Sequence, residues 1–335
     1  MVKTTDLFAK ATAPDSWKDV LSDTLRSMRI GGSVLLRKEY ASPWGVSIPG
    51  SNRLAVLFGV KAEVRVVAFH LVESGYCEIK LENGDEAVIE AGEMAVCFAG
   101  SAHRITQGTS PQVLPLETLL AGGESAKRPG VSAHARGASL LCGIFLLHDT
   151  LLNPLYAALP PLLRTSVSRP GEFHNLSGAA RLLAQEVDRK SFGGVYIVER
   201  LLEVFCAEAI RAHIEATPSQ DVSWLNGVKD PVVGRAVAAI HSRPGEDWSV
   251  TRLAHGVAMS SSRFAARFTA TLGDSPMVYV AKWRMNVACR LLAGTQQRIG
   301  QIAANVGYEN LAAFNRAFKK HVGVPPAAWR VRERL

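Results

Sequence analysis

Arg316, Lys319 and Lys320 fall on one side of the stretch LAAFNRAFKKHV, and Phe314, Ala317 and Phe318 fall on the other. A rigid face that offers cations and no acid has the chemistry of a phosphate-backbone contact. A second set, His70, His103 and Cys142, combines two imidazoles with a thiol. Such donors suit zinc, which takes four ligands in a structural site. A fourth is not evident; Lys38, Glu39 and Glu73 are near in sequence, and only the carboxylates can ligate. The alternative reading makes the histidines hydrogen-bonded core or pocket-wall residues and Cys142 a small buried hydrophobe.

The elements that must hold the cations are legible around them. In IGQIAANVGYENLAAFNRAFKKHVGVPPAAWR, Ile299, Ile302, Ala303 and Val306 keep helical spacing and Gly307 breaks the run. Phe314 and Phe318 then restart an apolar stripe one turn apart, so the segment reads as two short helices across a tight turn. The pattern occurs once before, in VTRLAHGVAMSSSRFAARFTATLG. Leu253, Ala254 and Val257 precede their counterparts by 49 residues, and Phe264 and Phe268 precede theirs by 50. Between the copies, residues 276–293 read as one helix whose core candidates are Val278, Val280, Ala281, Trp283, Met285, Val287, Ala288, Leu291 and Leu292. Its length of about 27 Å approaches the roughly 34 Å between successive major-groove faces on one side of a duplex.

Two helix-turn-helix units on a helical spacer resemble the DNA-binding domain of the AraC/XylS family of transcriptional regulators. The resemblance covers about residues 230–332, and NVGYENLAAFNRAFKKHVGVPPAAWR carries the family's V-G-Y/F, F-x-R-x-F-K, G-x-x-P and terminal aromatic-Arg elements in order. It implies that the third and sixth helices of the domain enter the groove. By that correspondence the groove-facing positions are Ser261, Ser262, Ala265 and Ala266 in the first unit. In the second they are Asn310, Leu311, Ala312, Asn315 and Arg316. Ala266 stands where many members carry arginine, so base reading in the first unit is sparse there, and Arg263 and Arg267 are expected to hold phosphates, as are Lys319 and Lys320.

Charge is segregated as this reading requires. Residues 228–335 contain 16 Lys and Arg against 6 Asp and Glu, whereas residues 1–227 contain 22 against 24. The whole net charge of +8 therefore lies in the C-terminal part. A chain of 335 residues with 47% hydrophobic content supports two or three folded units. No apolar run is long enough to cross a bilayer and no secretory signal is visible, which predicts a cytoplasmic protein with no membrane partner. Five cysteines without a CxxC pair are expected to be reduced.

The N-terminal half reads differently. Residues 16–28 place Val20, Leu21, Leu25 and Met28 on one helical face. Strand-like segments follow at 33–37, 65–72, 76–81 and 87–89, with Asn83-Gly84 as a hairpin turn. Many short strands between regular turns imply a small antiparallel barrel or sandwich. FHLVESGYCEIKLENGDEAVIEAGEMAVCFAGSAHRI resembles a cupin barrel of the kind found in one AraC subgroup, as do SDTLRSMR, Pro43-Trp44 and LLCGIF. Gly92, Gly100 and His103 keep the spacing of the second cupin motif, with Phe98 in place of its proline. Only His70 of the first motif's His-x-His pair is present, since Val72 holds the second position.

The expected organisation is α+β with two domains. Residues 1–150 form a cupin-like antiparallel β-barrel interrupted by a long flexible loop at 107–138. In that loop Lys127, Arg128 and Arg136 are solvated and His134 has no role. Residues 151–217 form a helical hairpin in which 176–189 carries Leu182, Leu183 and Val187, and 194–216 carries Ile197, Leu201, Leu202, Phe205 and Ile210, a stripe that serves either as intrachain core or as the pairing surface with a second copy, the latter being favoured. Residues 218–231 are a linker, and 232–335 form an all-α domain with two helix-turn-helix units. The function that follows is sequence-specific regulation of transcription, with double-stranded DNA, a second copy of the chain and RNA polymerase as partners. The signal is a small-molecule effector, or a metal or oxidant sensed at His70, His103 and Cys142, zinc being the cofactor considered; the resemblance makes activation the more frequent outcome. The rival reading is a cupin-type metalloenzyme fused to a DNA-binding domain. Its first motif lacks a histidine, and the chain has no Gly-rich phosphate loop, nucleophile elbow or HExxH, so no enzyme is expected.

Overall fold

The computed structural model describes residues 16–61, 64–122, 137–148, 152–167, 174–189, 191–216 and 224–334. They divide into two units, one within residues 30–148 and 159–217, the other within 1–29, 149–158 and 218–335.

The first unit is built on two five-stranded sheets. One runs in the order β1 (Ile30–Tyr40), β9 (Ala138–Leu147), β3 (Arg65–Ser74), β6 (Glu93–Val96), β10 (Leu163–Ser166). The other runs β5 (Glu86–Glu90), β4 (Tyr76–Leu81), β7 (His103–Gln107), β2 (Trp44–Ile48), β8 (Val113–Pro115). Pairing is antiparallel apart from β2 with β8. The sheets do not close into the expected barrel, because among the described residues no ladder joins their edge strands. The first sheet is instead covered by helix α6 (Gly194–Ala216), which packs on β1 and β10. Phe205 of this helix meets Phe69 edge-on at 5.7 Å, and Phe69 stacks on Phe145 at 4.6 Å. A strand covered on both faces needs an unbroken apolar run, and Val66 to Val72 is buried throughout. Because successive side chains alternate, Phe69 and His70 leave β3 on opposite faces.

The hairpin at Asn83-Gly84 joins β4 and β5, with Gly84 at φ +95° and the Asn83 side chain accepting from the Asp85 amide. Helix α2 (Ser51–Leu57) precedes β3, and within the expected loop at 107–138 the described residues include β8 and α3 (Leu116–Leu120), held by the buried Leu116 and Leu119. Residues 123–136, with Lys127, Arg128, His134 and Arg136, lie outside the described residues. Helix α5 (His174–Arg189) pairs with α6. Leu183 is buried but Leu182 is exposed, so only part of the expected stripe faces the core.

The second unit is helical and takes in more of the chain than expected. Helix α1 (Ser16–Met28) belongs to it rather than to the sheets. Its buried Val20, Leu21 and Met28 need an apolar partner and find it on α8 (Val233–Ser242). Asn153 secures α1 to α4 (Pro154–Ala158): its amide donates to the Thr24 carbonyl at 2.9 Å and to Ser27 Oγ at 2.8 Å, and its oxygen accepts from the Leu155 amide. Part of the expected linker is likewise structural. Trp224–Lys229 forms α7, with Trp224, Leu225 and Val228 buried and the Trp224 indole donating to Tyr279 Oη at 2.7 Å. Residues 217–223 lie outside the described residues.

The two helix pairs are α9 (Val250–Gly256) with α10 (Ser261–Leu272), and α12 (Ile299–Asn305) with α13 (Leu311–Val322). Between them runs the spacer α11 (Pro276–Gly294), and α14 (Pro326–Arg334) follows. Leu253, Ala254, Val257, Phe264 and Phe268 are buried, as are Ile302, Ala303, Val306, Phe314 and Phe318. The repeat extends beyond these residues. Gly273 and Gly323 end α10 and α13 in the left-handed conformation, at φ +80° and +89°. Pro276 and Pro326 then start the next helices, and Tyr279 and Trp329 are buried one turn later. On α11, Val278 is exposed, whereas Val280, Trp283, Met285, Val287, Ala288 and Leu292 enter the core as expected.

The turns differ at one position. The second contains Gly307 at φ +81°, and the matching residue of the first is Ala258 at φ +56°. A Cβ on Gly307 would stand 2.8 Å from the Gly245 carbonyl oxygen and 2.7 Å from the Arg284 guanidinium, which itself bonds the Pro244 and Glu246 carbonyls. Gly307→Ala is therefore expected to destabilise this unit by about 1–3 kcal/mol. Thermal unfolding measures the loss, and an unchanged midpoint would mean the turn tolerates a side chain.

Candidate functional site

The cationic face is built by a cap, a core stripe and a stop. Asn310 Oδ1 accepts from the Ala312 and Ala313 amides at 2.8 and 3.2 Å, which starts α13. Phe314 and Phe318 are fully buried and 5.7 Å apart, fixing the rotation of the helix, and Gly323 ends it. That rotation leaves Leu311, Ala312, Asn315, Arg316, Lys319 and Lys320 exposed on the opposite side. No ion pair engages Arg316, Lys319 or Lys320 among the described residues. Asn310 thus has a positioning role in the helix start, which was not part of the expectation.

On α10, Ser262, Arg263, Ala266 and Arg267 are exposed, Ser261 and Ala265 are half-buried, and Ser261 Oγ donates to Thr251 Oγ1 at 3.4 Å. Arg267 is committed elsewhere: it donates to Asp230 Oδ2 at 2.7 Å. Burial pushes the Asp230 carboxyl up, but the Val233 amide, the Arg267 side chain and the Val232 amide more than offset it, so it stays below its usual value. Arg263 is thus the freer of the two arginines expected to meet phosphate. The two exposed faces are joined by α11, whose 19 residues span about 28 Å.

A second constellation lies between the sheets of the first unit. His70 leaves β3 of one sheet, His103 leaves β7 of the other, and their Nε2 atoms are 2.9 Å apart. His103 Nδ1 is 3.1 Å from the Ser101 carbonyl, which only accepts, so this nitrogen carries the proton and Nε2 presents a lone pair. Cys142 is the cross-strand partner of His70 on β9, and its sulfur is 3.2 Å from His70 Nδ1. The three residues expected to converge do so, but Cys142 sits on the far side of the His70 ring from His103. Cys97 forms with His70 and His103 a buried group in which one donor atom from each lies within 4.8 Å of the others. Gly100 at φ +65° turns the chain between β6 and β7 and lets Cys97 and His103 meet. The spacing Cys97-x5-His103 was the available signal, and it is weak without knowledge of that turn. Burial lowers both histidines below their usual range and pushes the Cys97 thiol up to about 12.

Comparison with known proteins agrees with both halves. A family model described as Cupin matches residues 19–215, and one described as a helix-turn-helix domain matches residues 253–332. A putative AraC-like transcription regulator of Streptomyces lividans is 30% identical over 89% of this chain and 96% of its own. A second, from Streptomyces antibioticus, is 28% identical over 89% and 96%. The HTH-type transcriptional regulator AlkR of Acinetobacter baylyi is 27% identical over 82% and 90%. With a cupin model matched over residues 19–215, a helix-turn-helix model over 253–332 and a relative 30% identical over 89% of the chain, this protein belongs to the AraC-like transcription regulators that carry a cupin domain ahead of their helix-turn-helix region.

Proposed function

We propose that the chain regulates transcription as a homodimer, each subunit reading DNA with α10 and α13 and taking its signal in the paired sheets. The observation that carries the reading is the cationic face of α13, exposed and held by a capped, Phe-anchored helix that repeats α10 at fixed spacing. Arg316 and Asn315 are assigned to base edges, and Lys319, Lys320 and Arg263 to phosphates. Activation through RNA polymerase is the outcome assigned to DNA binding, in the cytoplasm. Among the described residues no helix is long and apolar enough to cross a membrane. The sheets are assigned to signal binding rather than catalysis, as the relatives' description as transcription regulators favours. Selection from random duplexes tests the assignment: enrichment of two conserved segments about one helical turn apart supports it. Failure to enrich any sequence over the starting pool would reject it.

Dimerisation is assigned to α6, though not to Leu202, Phe205 and Ile210 of the expected stripe, which are buried within the chain. Its Ile197 and Val204, two turns apart on one side, are 42% and 50% exposed, beside Val195 and Tyr196. Ile197→Glu with Val204→Glu is expected to give monomers in sedimentation and to weaken binding to a repeated site by roughly 100-fold, since the second contact becomes bimolecular. A variant that still sediments as a dimer would place the interface elsewhere.

A further inference from the structure

We propose that His70 Nε2, His103 Nε2 and Cys97 Sγ bind one closed-shell thiophilic metal ion, Cu⁺ or Zn²⁺, and that Cys142 orients His70 from behind. The donors come from both sheets: His70 from β3, Cys97 from the end of β6, and His103 from β7. The surroundings of the two rings are those of metal-bound histidines. Each ring has its Nδ1 against a fixed partner, the Ser101 carbonyl for His103 and the Cys142 sulfur for His70, so each can present Nε2 to an ion. Two nitrogens about 2.0–2.1 Å from one ion at a tetrahedral angle stand about 3.3 Å apart. At the 120° angle of a three-coordinate site they stand about 3.5 Å apart, so the observed 2.9 Å separation must open by about 0.4–0.6 Å.

Without an ion the same atoms form a closed chain. Cys142 donates to His70 Nδ1, His70 Nε2 donates to His103 Nε2, and His103 Nδ1 donates to Ser101. Loading moves the His70 proton to Nδ1, where it is donated to Cys142 Sγ, and releases one proton from Cys97 as its sulfur becomes the thiolate ligand. No oxidant or reductant takes part. The charge favours Cu⁺. One thiolate and two neutral imidazoles make a neutral three-coordinate Cu⁺ site, whereas Zn²⁺ keeps one positive charge in a buried place and needs a fourth donor. His103 also lines a cleft of about 570 Å³ with Lys80, Glu82, Arg104 and Glu117.

The site departs from the sequence-based set by exchanging Cys142 for Cys97 as ligand. Its regulatory consequence rests on the sensor reading above; its binding of metal does not. The test is titration of the full chain, under reducing conditions, with Cu⁺ against a chromogenic Cu⁺ chelator and separately with Zn²⁺. Co²⁺ serves as the spectroscopic stand-in for Zn²⁺. About one ion per chain is expected, with a thiolate-to-metal charge-transfer band. Cys97→Ser and His103→Gln, changes on separate segments, should each remove the band and the stoichiometric binding. Cys142→Ser should keep the band and weaken binding by roughly 10–100-fold. Absence of stoichiometric binding of either ion by the folded chain, or a Cys97→Ser variant that retains the band, would overturn the site. DNA affinity measured with and without bound ion is a separate readout. If it does not change, the metal site stands and its role as the sensed signal is rejected.

Discussion

Alanine at Arg316, Lys319 and Lys320 together is expected to leave a folded chain that binds DNA more weakly and separates its selected duplex from random DNA less well. Arg316 is assigned to a base edge, and its loss alone should cost about 1–3 kcal/mol on the preferred sequence and little elsewhere. Each lysine assigned to a phosphate contributes about 0.9 to the slope of log affinity against log salt, so losing both should flatten that slope by about 1.8. The side chains are exposed and support no core contact, so the thermal midpoint should hold. Affinity unchanged in the triple variant would remove α13 from the interface. A lysine effect confined to one sequence would make Lys319 and Lys320 base readers.

Phe318→Ala is the expected counterpart, removing binding by a different route. Phe318 is fully buried, with Phe314 at 5.7 Å and Trp329 edge-on at 6.4 Å. Truncating such a ring costs about 3–5 kcal/mol, a large share of the roughly 5–15 kcal/mol that holds a typical domain. The midpoint should fall steeply, and DNA binding should be lost on all sequences at once. An unchanged midpoint would mean that the Phe stripe does not form the core of this helix pair. The two variants together separate loss of chemistry from loss of the scaffold.

The DNA-binding half was legible because its signals are local. Apolar residues at helical spacing, Gly307 in the turn and Gly323 at the helix end specify α12 and α13 without help from distant parts of the chain. The doubling of the pattern supplied the rest. Helices α1, α4 and α7 were assigned to other parts of the chain because amphipathic spacing says that a face is buried and not against what; Met28 and Trp224 needed the tertiary fold to find partners. The strand pattern leaves barrel and sandwich open, and the closed barrel rested on the cupin resemblance; strand periodicity carries no information on whether edges meet. At the buried triplet, His70 and His103 were visible as remnants of a motif. Cys97 was not, because its approach depends on a turn between strands that lie in different sheets. Asn310 was read as a groove contact, and the structure shows that its side-chain oxygen also caps α13.

Hydroxyl-radical footprinting of the full chain on its selected duplex tests most directly that both helix pairs engage DNA from one side. Two protected segments per chain, about 10–10.5 base pairs apart on one face, are the predicted result, with Arg316→Ala erasing one and leaving the other. A single protected segment, or loss of both segments together in a folded variant, would contradict the assignment of α10 and α13 to successive turns of the major groove.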